Sequence, residues 1–390
     1  MVGMIGTGLG WLAICVAAAG IAYTAMAARV WRQFFATQPG PRQPSDRPRA
    51  EAVTILKPLH GAEPRLAENL AGFLRQDHTG PVQLLCGVQR ADDPAIAVVE
   101  ALRRAHPEAD IALIVDFTAH GASGKLANLL NMIGSARHPV LVLSDSDIAV
   151  APDYLARVLA ALDVPGTGAV TCLYSGRGDA GFWSRLGAAG LSYQFMLGVV
   201  FGVANRLATP CMGSTIALRR ETLDAIGGFA RFADVLADDY AIGEAIRGCG
   251  LTVVVPPMLV THAFDEPSLA ALWRHQLRWA ATVRDIGFWP YVGTVIGLPL
   301  PVALLAALYW PAMGLSLAVL ALATRYLVVR AVDETVGEPA APYWMASAHD
   351  LLSFAVYIAS FFVRSVDWRG ATLRMKTDGR ISAPNDPKND

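Results

Sequence analysis

Residues 139–148 read Pro-Val-Leu-Val-Leu-Ser-Asp-Ser-Asp-Ile, an apolar run that stops abruptly at Ser144-Asp145-Ser146-Asp147. A short apolar run bounded by turn-forming residues reads as a strand buried on both faces, with two carboxylates just past its carboxyl end. Along an extended strand end, residues two apart share a side, so Asp145 and Asp147 are expected to face one point beyond the sheet edge. Carboxylates so aimed repel unless a cation lies between them. Two readings follow. One is a solvated turn in which Asp147 caps the helix starting near Pro152. The other is a divalent-metal site, hard oxygen ligands holding Mg2+ or Mn2+ against a nucleotide diphosphate.

Working outward, VTIL (53–56), VQLLCGV (82–88), IALIV (111–115) and AVTCL (169–173) also read as buried strands. Segments 66–76, 95–105, 125–133 and 154–162 between them carry helical periodicity. This alternation predicts βαβ units, an α/β fold and a mostly parallel sheet. Ligands of such sheets bind beyond the carboxyl ends of the strands. Asp145 and Asp147 follow one such end, and Asp92-Asp93 follow another. A third acidic pair, Asp238-Asp239, opens a later helix, and His275-Gln276-Leu277-Arg278-Trp279 comes near the return to apolar sequence.

The 390 residues are 54% hydrophobic and only 17% charged, with mean hydropathy +0.38, which points to a membrane protein. A net charge of −1, with no basic run interleaved with aromatics, argues against nucleic acid as a partner. The five cysteines show no CxxC or metal-finger spacing and read as small apolar fillers in a reducing compartment.

Residues 5–28 are uncharged, enough to cross a hydrocarbon core of roughly 30 Å that needs about 20 helical residues. Arg29 and Arg32 follow this segment, so it reads as a retained anchor with its following side in the cytoplasm rather than a cleaved leader. A Pro/Arg-rich linker containing Arg42 and Arg47 comes next. Further apolar blocks cover 291–329, with a turn at Trp310-Pro311, and 351–363, which is short for a span. If all three C-terminal segments crossed, Arg364, Arg369, Arg374 and Lys376 would lie outside, against the charge rule; an interfacial or re-entrant last segment avoids this. The apolar stretch 186–203 lies inside the catalytic range and reads either as a core helix, the commoner fate of such runs, or, beside a lipid substrate, as an interfacial helix forming a lipid entry, the reading preferred here. The expected layout is an anchor (1–30), a linker (31–50), a cytoplasmic α/β domain (51–283), membrane-associated helices (284–366) and a tail (367–390).

The order VTILKPLHGAEP, VQRADDPAI, GKLANLLNM, SDSDI, GSTIALRRETLDAIGGF, LADDYAIGE, HQLRWA resembles, over nearly the whole chain, the ceramide glucosyltransferase family of membrane-bound GT-A glycosyltransferases, which includes bacterial hopanoid-pathway enzymes. The resemblance implies inverting transfer of a hexose from a UDP-sugar to a membrane-lipid hydroxyl, on ceramide or a hopanoid, at the bacterial inner membrane. It implies Asp239 as general base, with Asp238 supporting it, and Asp147 as ligand of Mg2+ or Mn2+. Asp92, Asp93, Lys125 and Asp145 are candidates for uracil, ribose, sugar or phosphate contact. Arg278 would neutralise the diphosphate and Trp279 would wall the acceptor entrance. Gly213 would let backbone approach beneath the acceptor. The family pattern has Gln or Arg where this chain has His275, a further acceptor-site candidate. A processive polysaccharide synthase and an inactive membrane scaffold are the competing readings; few C-terminal spans argue against the first, and retention of Asp92, Asp147 and Asp239 against the second.

Overall fold

The computed structural model describes residues 2–36, 50–235, 237–363, 365–368, 371–375 and 381–382. The linker arginines Arg42 and Arg47, and Arg364, Arg369 and Lys376 of the tail, lie outside the described residues.

The strands up to Phe264 are β1 (Val53–Pro58), β2 (Val82–Val88), β3 (Asp110–Val115), β4 (Val140–Leu143), β5 (Ile148–Ala149), β6 (Thr167–Thr171), β7 (Leu173–Gly178), β8 (Ile216–Arg219), β9 (Thr252–Val254) and β10 (Leu259–Phe264). The helices are α1 (Val2–Ala36), α2 (Leu66–Leu74), α3 (Ala95–Ala105), α4 (Gly124–Ile133), α5 (Tyr154–Leu162), α6 (Phe182–Gly190), α7 (Met196–Ala204), α8 (Arg220–Ala225), α9 (Asp238–Gly248), α10 (Leu269–Ile286), α11 (Phe288–Gly293), α12 (Pro299–Ala307), α13 (Pro311–Val336) and α14 (Tyr343–Ser360). A π-helical turn, Leu191–Phe195, joins α6 to α7.

These elements form two units. The α/β unit comprises Gln38–Tyr174, Thr209–Asp265 and Asp378–Asp390. Its seven-stranded sheet has the order β3-β2-β1-β4-β8-β6-β9. Strands β1, β2, β3 and β4 run parallel, while β8 is antiparallel to both β4 and β6. Every position of β1 and β4 is buried, as expected for strands covered on both faces. Leu56, Leu85, Leu126, Leu143, Ile216 and Ile242 contribute to the core beneath the site. The chain steps outward from β1 to β2 and β3, then returns to lay β4 on the other side of β1. This reversal opens the crevice outside the carboxyl ends of β1 and β4 where α/β sheets bind ligands. The acidic loop 144–147 leaves β4 at this place. The run read as one strand over 169–173 is broken at Cys172 into β6 and β7.

The helical unit comprises Met1–Thr37, Ser175–Ala208 and Glu266–Thr377. Thus residues 175–208 and 266–283, within the range expected for the α/β domain, group with the apolar helices. Thr7–Ala36, Phe182–Ala204 and Pro311–Val336 are long and apolar enough to cross a membrane. The second of these covers the stretch expected to lie in the interface. Phe288–Gly297 and Pro299–Ala307 form a pair bent by 73°, so the block after 291 is not a straight span. α14 begins at Tyr343, upstream of the apolar segment read at 351–363, and is not among the helices that meet the same test.

Broken helices leave backbone carbonyls without helical partners, which is costly in an apolar surrounding. Arg325 of α13 meets this cost. Its guanidinium is buried, pairs with both oxygens of Asp350 at 2.8 and 2.9 Å, and donates to the carbonyls of Tyr193 in the π turn and Gly297 at the bend. One side chain therefore ties down both irregular segments of this unit.

Candidate active site

The chain does not stay extended after β4. It turns at Ser146-Asp147 and enters β5, which pairs antiparallel with β10 in the register His262↔Ile148. The backbone carbonyl of Asp147 accepts from Ala263 N at 2.9 Å. The two carboxylates have different nearest partners. Asp145 Oδ1 lies 2.8 Å from Lys125 Nζ. Asp147 Oδ2 lies 3.7 Å from His262 Nε2 on β10. The other oxygen, Asp147 Oδ1, is buried and has no hydrogen-bond partner among the described residues.

Lys125 stands in the first turn of α4, where Ser123 caps the helix by accepting from Leu126 N. A lysine is poorly placed there for the helix dipole. Its compensation is a ring of acids, Asp145 and, 3.7 Å away, Asp238 Oδ2. Burial alone would lower the ammonium pKa, but Asp145, Asp238 and Asp239 outweigh it and hold Lys125 charged above the usual lysine range.

Asp238 and Asp239 open α9, where carboxylates complement the dipole. Asp239 Oδ2 accepts from Gly213 N at 2.9 Å, and Oδ1 from Tyr240 N at 2.8 Å. Burial, then repulsion from Asp238, raises the Asp239 pKa to about 6. Asp238 is also raised, chiefly by burial. A Cβ on Gly213 would sit 2.9 Å from Asp145 Oδ2 and 3.0 Å from Lys125 Nζ, so only glycine lets this backbone N–H reach Asp239. Lys125, Asp145, Gly213, Asp238 and Asp239 thus meet at one place. Here a carboxylate with its pKa raised to about 6 stands near a charged lysine.

The model of glycosyl transferase family 21 matches residues 12–381. The chain belongs to glycosyl transferase family 21. It is 26% identical over 242 residues to ceramide glucosyltransferase 1 of Caenorhabditis elegans, covering 60% of this chain and 49% of that protein. It is 31% identical over 121 residues to ceramide glucosyltransferase of Komagataella phaffii, covering 30% of this chain and 23% of that protein. The chain spans about half the length of the first of these relatives and less of the second. Among solved structures, the mannosyltransferase PcManGT from Pyrobaculum calidifontis, in complex with GDP-Man and Mn2+, aligns with a TM-score of 0.53 at 21% identity, covering 91% of this chain and 99% of that one. This likeness shows the GT-A fold.

Asp92 and Asp93 of the family 21 chain have partners of their own. Asp92 is exposed and pairs with Arg90 at 2.6 Å. Asp93 is buried and spends its carboxylate on backbone, accepting from Gly61 N at 3.0 Å and Ala95 N at 2.9 Å. His275, Arg278 and Trp279 sit on α10 in the helical unit. There His275 Nδ1 is hydrogen-bonded to buried Glu266, and the His275 and Trp279 rings meet edge to face at 4.4 Å.

Three residues at this cluster of the family 21 chain were not singled out from the sequence. His262 faces Asp147 from a strand far along the chain. Tyr174 is buried, and burial together with Asp239, Asp145 and Asp147 raises its pKa, which keeps the phenol protonated among three acids. Lys57, next to last in β1, is fully buried, donates to Ser144 Oγ at 3.1 Å and to the Asp145 carbonyl at 2.7 Å, and lies over the Phe73 ring. It pins the acidic loop from beneath. A charged residue in a strand motif such as VTILKP is a signal for such a buried anchor.

Burial lowers the Lys57 pKa from its ordinary 10.5 to about 7. Between those values the unfolded chain binds a proton that the native state releases. Stability is therefore expected to rise with pH from about 7 toward 10.5 through this group. The Lys57→Met chain should lack that rise, as measured by thermal unfolding at a series of pH values. Equal pH slopes in the two proteins would contradict it.

Proposed function

We propose that this family 21 protein is an inverting, UDP-sugar-dependent glycosyltransferase. It moves a hexose of the glucose or N-acetylglucosamine type onto the hydroxyl of a membrane lipid, ceramide or a hopanoid. The observation that carries the proposal is the Asp239 carboxylate, held between Gly213 N–H and the α9 N-terminus beside Lys125 at the sheet's ligand-binding edge. Inversion at the sugar carbon needs a base for the acceptor hydroxyl. A carboxylate with its pKa near 6 is mostly ionised at neutral pH yet more basic than an ordinary aspartate.

Asp147 and His262 fit a divalent cation, Mg2+ or Mn2+. A buried carboxylate oxygen without a donor and an imidazole nitrogen 3.7 Å from its other oxygen are suited to share one ion. Among the described residues no group of three or more His, Cys, Asp or Glu side chains gathers for a metal. The protein would thus supply few ligands and leave positions for phosphate oxygens and water, as Mg2+ sites commonly do. Bound there, the ion would neutralise charge developing on the leaving diphosphate.

Lys125 and Asp145 position the sugar and phosphate side of the donor, and Asp238 tunes Asp239 by its charge. Asp92 is exposed and available to ribose or uracil. Asp93 is assigned to holding the loop before α3. Arg278, Trp279 and His275 are assigned to the diphosphate and the acceptor on the resemblance of the HQLRW stretch. The decisive experiment incubates purified full-length protein with radiolabelled UDP-glucose or UDP-N-acetylglucosamine and extracted bacterial lipids. A labelled glycolipid is expected, and its absence with every donor and lipid fraction would contradict the assignment.

The α/β unit is placed on the cytoplasmic side, where nucleotide sugars are made. Cys249 is exposed on this unit, while Cys15 is the exposed cysteine of α1. In a Cys15→Ala background, Cys249 should escape a membrane-impermeant maleimide added to intact cells and react once the cells are permeabilised. Labelling in intact cells would reverse the orientation.

A further inference from the structure

The roles above leave unexplained a line of polar side chains running through the apolar helical unit. It starts at Gln276, inside the HQLRW stretch of α10. The Gln276 amide nitrogen is hydrogen-bonded to Nε2 of His349 on α14. An amide N–H can only donate, so Nε2 accepts and the imidazole proton sits on Nδ1. His349 Nδ1 lies 3.1 Å from Ser353 Oγ, one turn further along α14. Ser353 in turn donates to Oε1 of Gln194 at 2.8 Å. The direction of each bond is thereby set. At its far end the Gln194 carbonyl is consumed, and the amide –NH2 remains as a donor with no hydrogen-bond partner among the described residues.

The line is built with care. His349 is 3% exposed, and a Cβ on Gly190 would fall 2.0 Å from its ring, so a glycine is required for the imidazole to lie against α6. Gln194 belongs to the π turn Leu191–Phe195, a distortion that recurs at functional sites because it re-aims side chains. The next residue, Phe195, is 40% exposed, and its ring centroid is 6.3 Å from that of Trp279. Polar groups inside apolar helices are costly and are by default read as functional. A donor on the residue next to this aromatic pair in sequence suits a molecule that is polar at one point and apolar around it.

We propose that the Gln194 carboxamide, oriented by Gln276, His349 and Ser353 and flanked by Phe195 and Trp279, recognises the head of the acceptor lipid. Its –NH2 donates to a hydroxyl or carbonyl oxygen of the head, and the rings cover the carbons next to it. This rests on the reading of the protein as a lipid glycosyltransferase. Ser353 and His349 are positioning residues that keep the carboxamide from turning over.

The test uses full-length protein in detergent and a short-chain ceramide carrying a photoreactive diazirine, with crosslinked peptides mapped by mass spectrometry. Crosslinks are expected on peptides containing Phe195 or Trp279. Gln194→Leu should lower labelling about tenfold, the effect of losing one desolvated hydrogen bond, while UDP affinity stays unchanged. In the transfer assay the same variant should raise the acceptor KM and spare kcat. Ser353→Ala, a milder change, should act in the same direction with a smaller shift, which guards against a folding defect in the first variant. Crosslinks confined to other helices, or labelling at wild-type level in both variants, would overturn the site. Loss of transfer from UDP-sugars with crosslinking intact would instead count against the proposed reaction and leave the lipid site standing.

Discussion

Replacing Asp239 with asparagine is expected to lower turnover by ~10²- to 10⁴-fold, the usual contribution of a general base. Donor affinity should be nearly unchanged, because a base acts on the acceptor proton in the transition state and does little to hold the UDP-sugar. Asparagine matches the carboxylate in size and keeps one acceptor oxygen. It can therefore retain the bond from Gly213 N or from Tyr240 N, but its amide opposes the other. The protein must be shown to fold before turnover and binding are compared. The pH profile gives an independent check. Asp239 works only when ionised and its pKa is raised to about 6, so wild-type kcat/KM should climb with pH up to about 6 and level off above it. In Asp239→Asn that limb should disappear. If Asp238→Asn is dead while Asp239→Asn is active, the base is the other member of the pair. If both remain active, the acidic pair at the start of α9 holds no base.

Chelation should abolish transfer, and Mn2+ or Mg2+ should restore it. Asp147→Asn should weaken metal-dependent UDP binding by more than the ~10- to 100-fold that loss of an outer-shell partner costs, since Asp147 is assigned as a direct ligand. His262→Ala should move binding in the same direction. The double variant should fall short of the sum of the two, as expected for residues sharing one ion. Titration calorimetry of UDP with and without added Mn2+ measures all four proteins. Full activity in excess chelator, or Asp147→Asn binding UDP as tightly as wild type in Mn2+, would remove the metal from this site.

The sequence by itself determined what depends on neighbouring residues. Short apolar runs alternating with helical periodicity specify β1 to β4 and the helices between them, because burial on two faces or on one stripe leaves a period that can be read locally. The acidic clusters after β2 and β4 and at the start of α9 were legible for the same reason: strand ends and helix starts are where such residues are tolerated only with a partner or a purpose. Uncharged length marked 5–28 and the apolar block after 291 as membrane-type helix.

Only the tertiary structure decided which of these pieces meet. Strand alternation cannot be read past Ser146-Asp147, where the chain turns so that β5 pairs with β10. That pairing brings Asp147 to His262 and leaves Asp145 to Lys125. Lys57 reads as one more residue of a strand, and only its complete burial under Ser144 and Asp145 makes it the anchor of the acidic loop. Hydropathy located the apolar stretch near 186–203 but not its company. Its place in the helical unit depends on Arg325 reaching the Tyr193 carbonyl and on His349 fitting against Gly190. Period and composition report short-range preference, whereas a buried charge or a broken helix is stable only beside a particular partner distant in sequence, and that partner is set by how the elements pack.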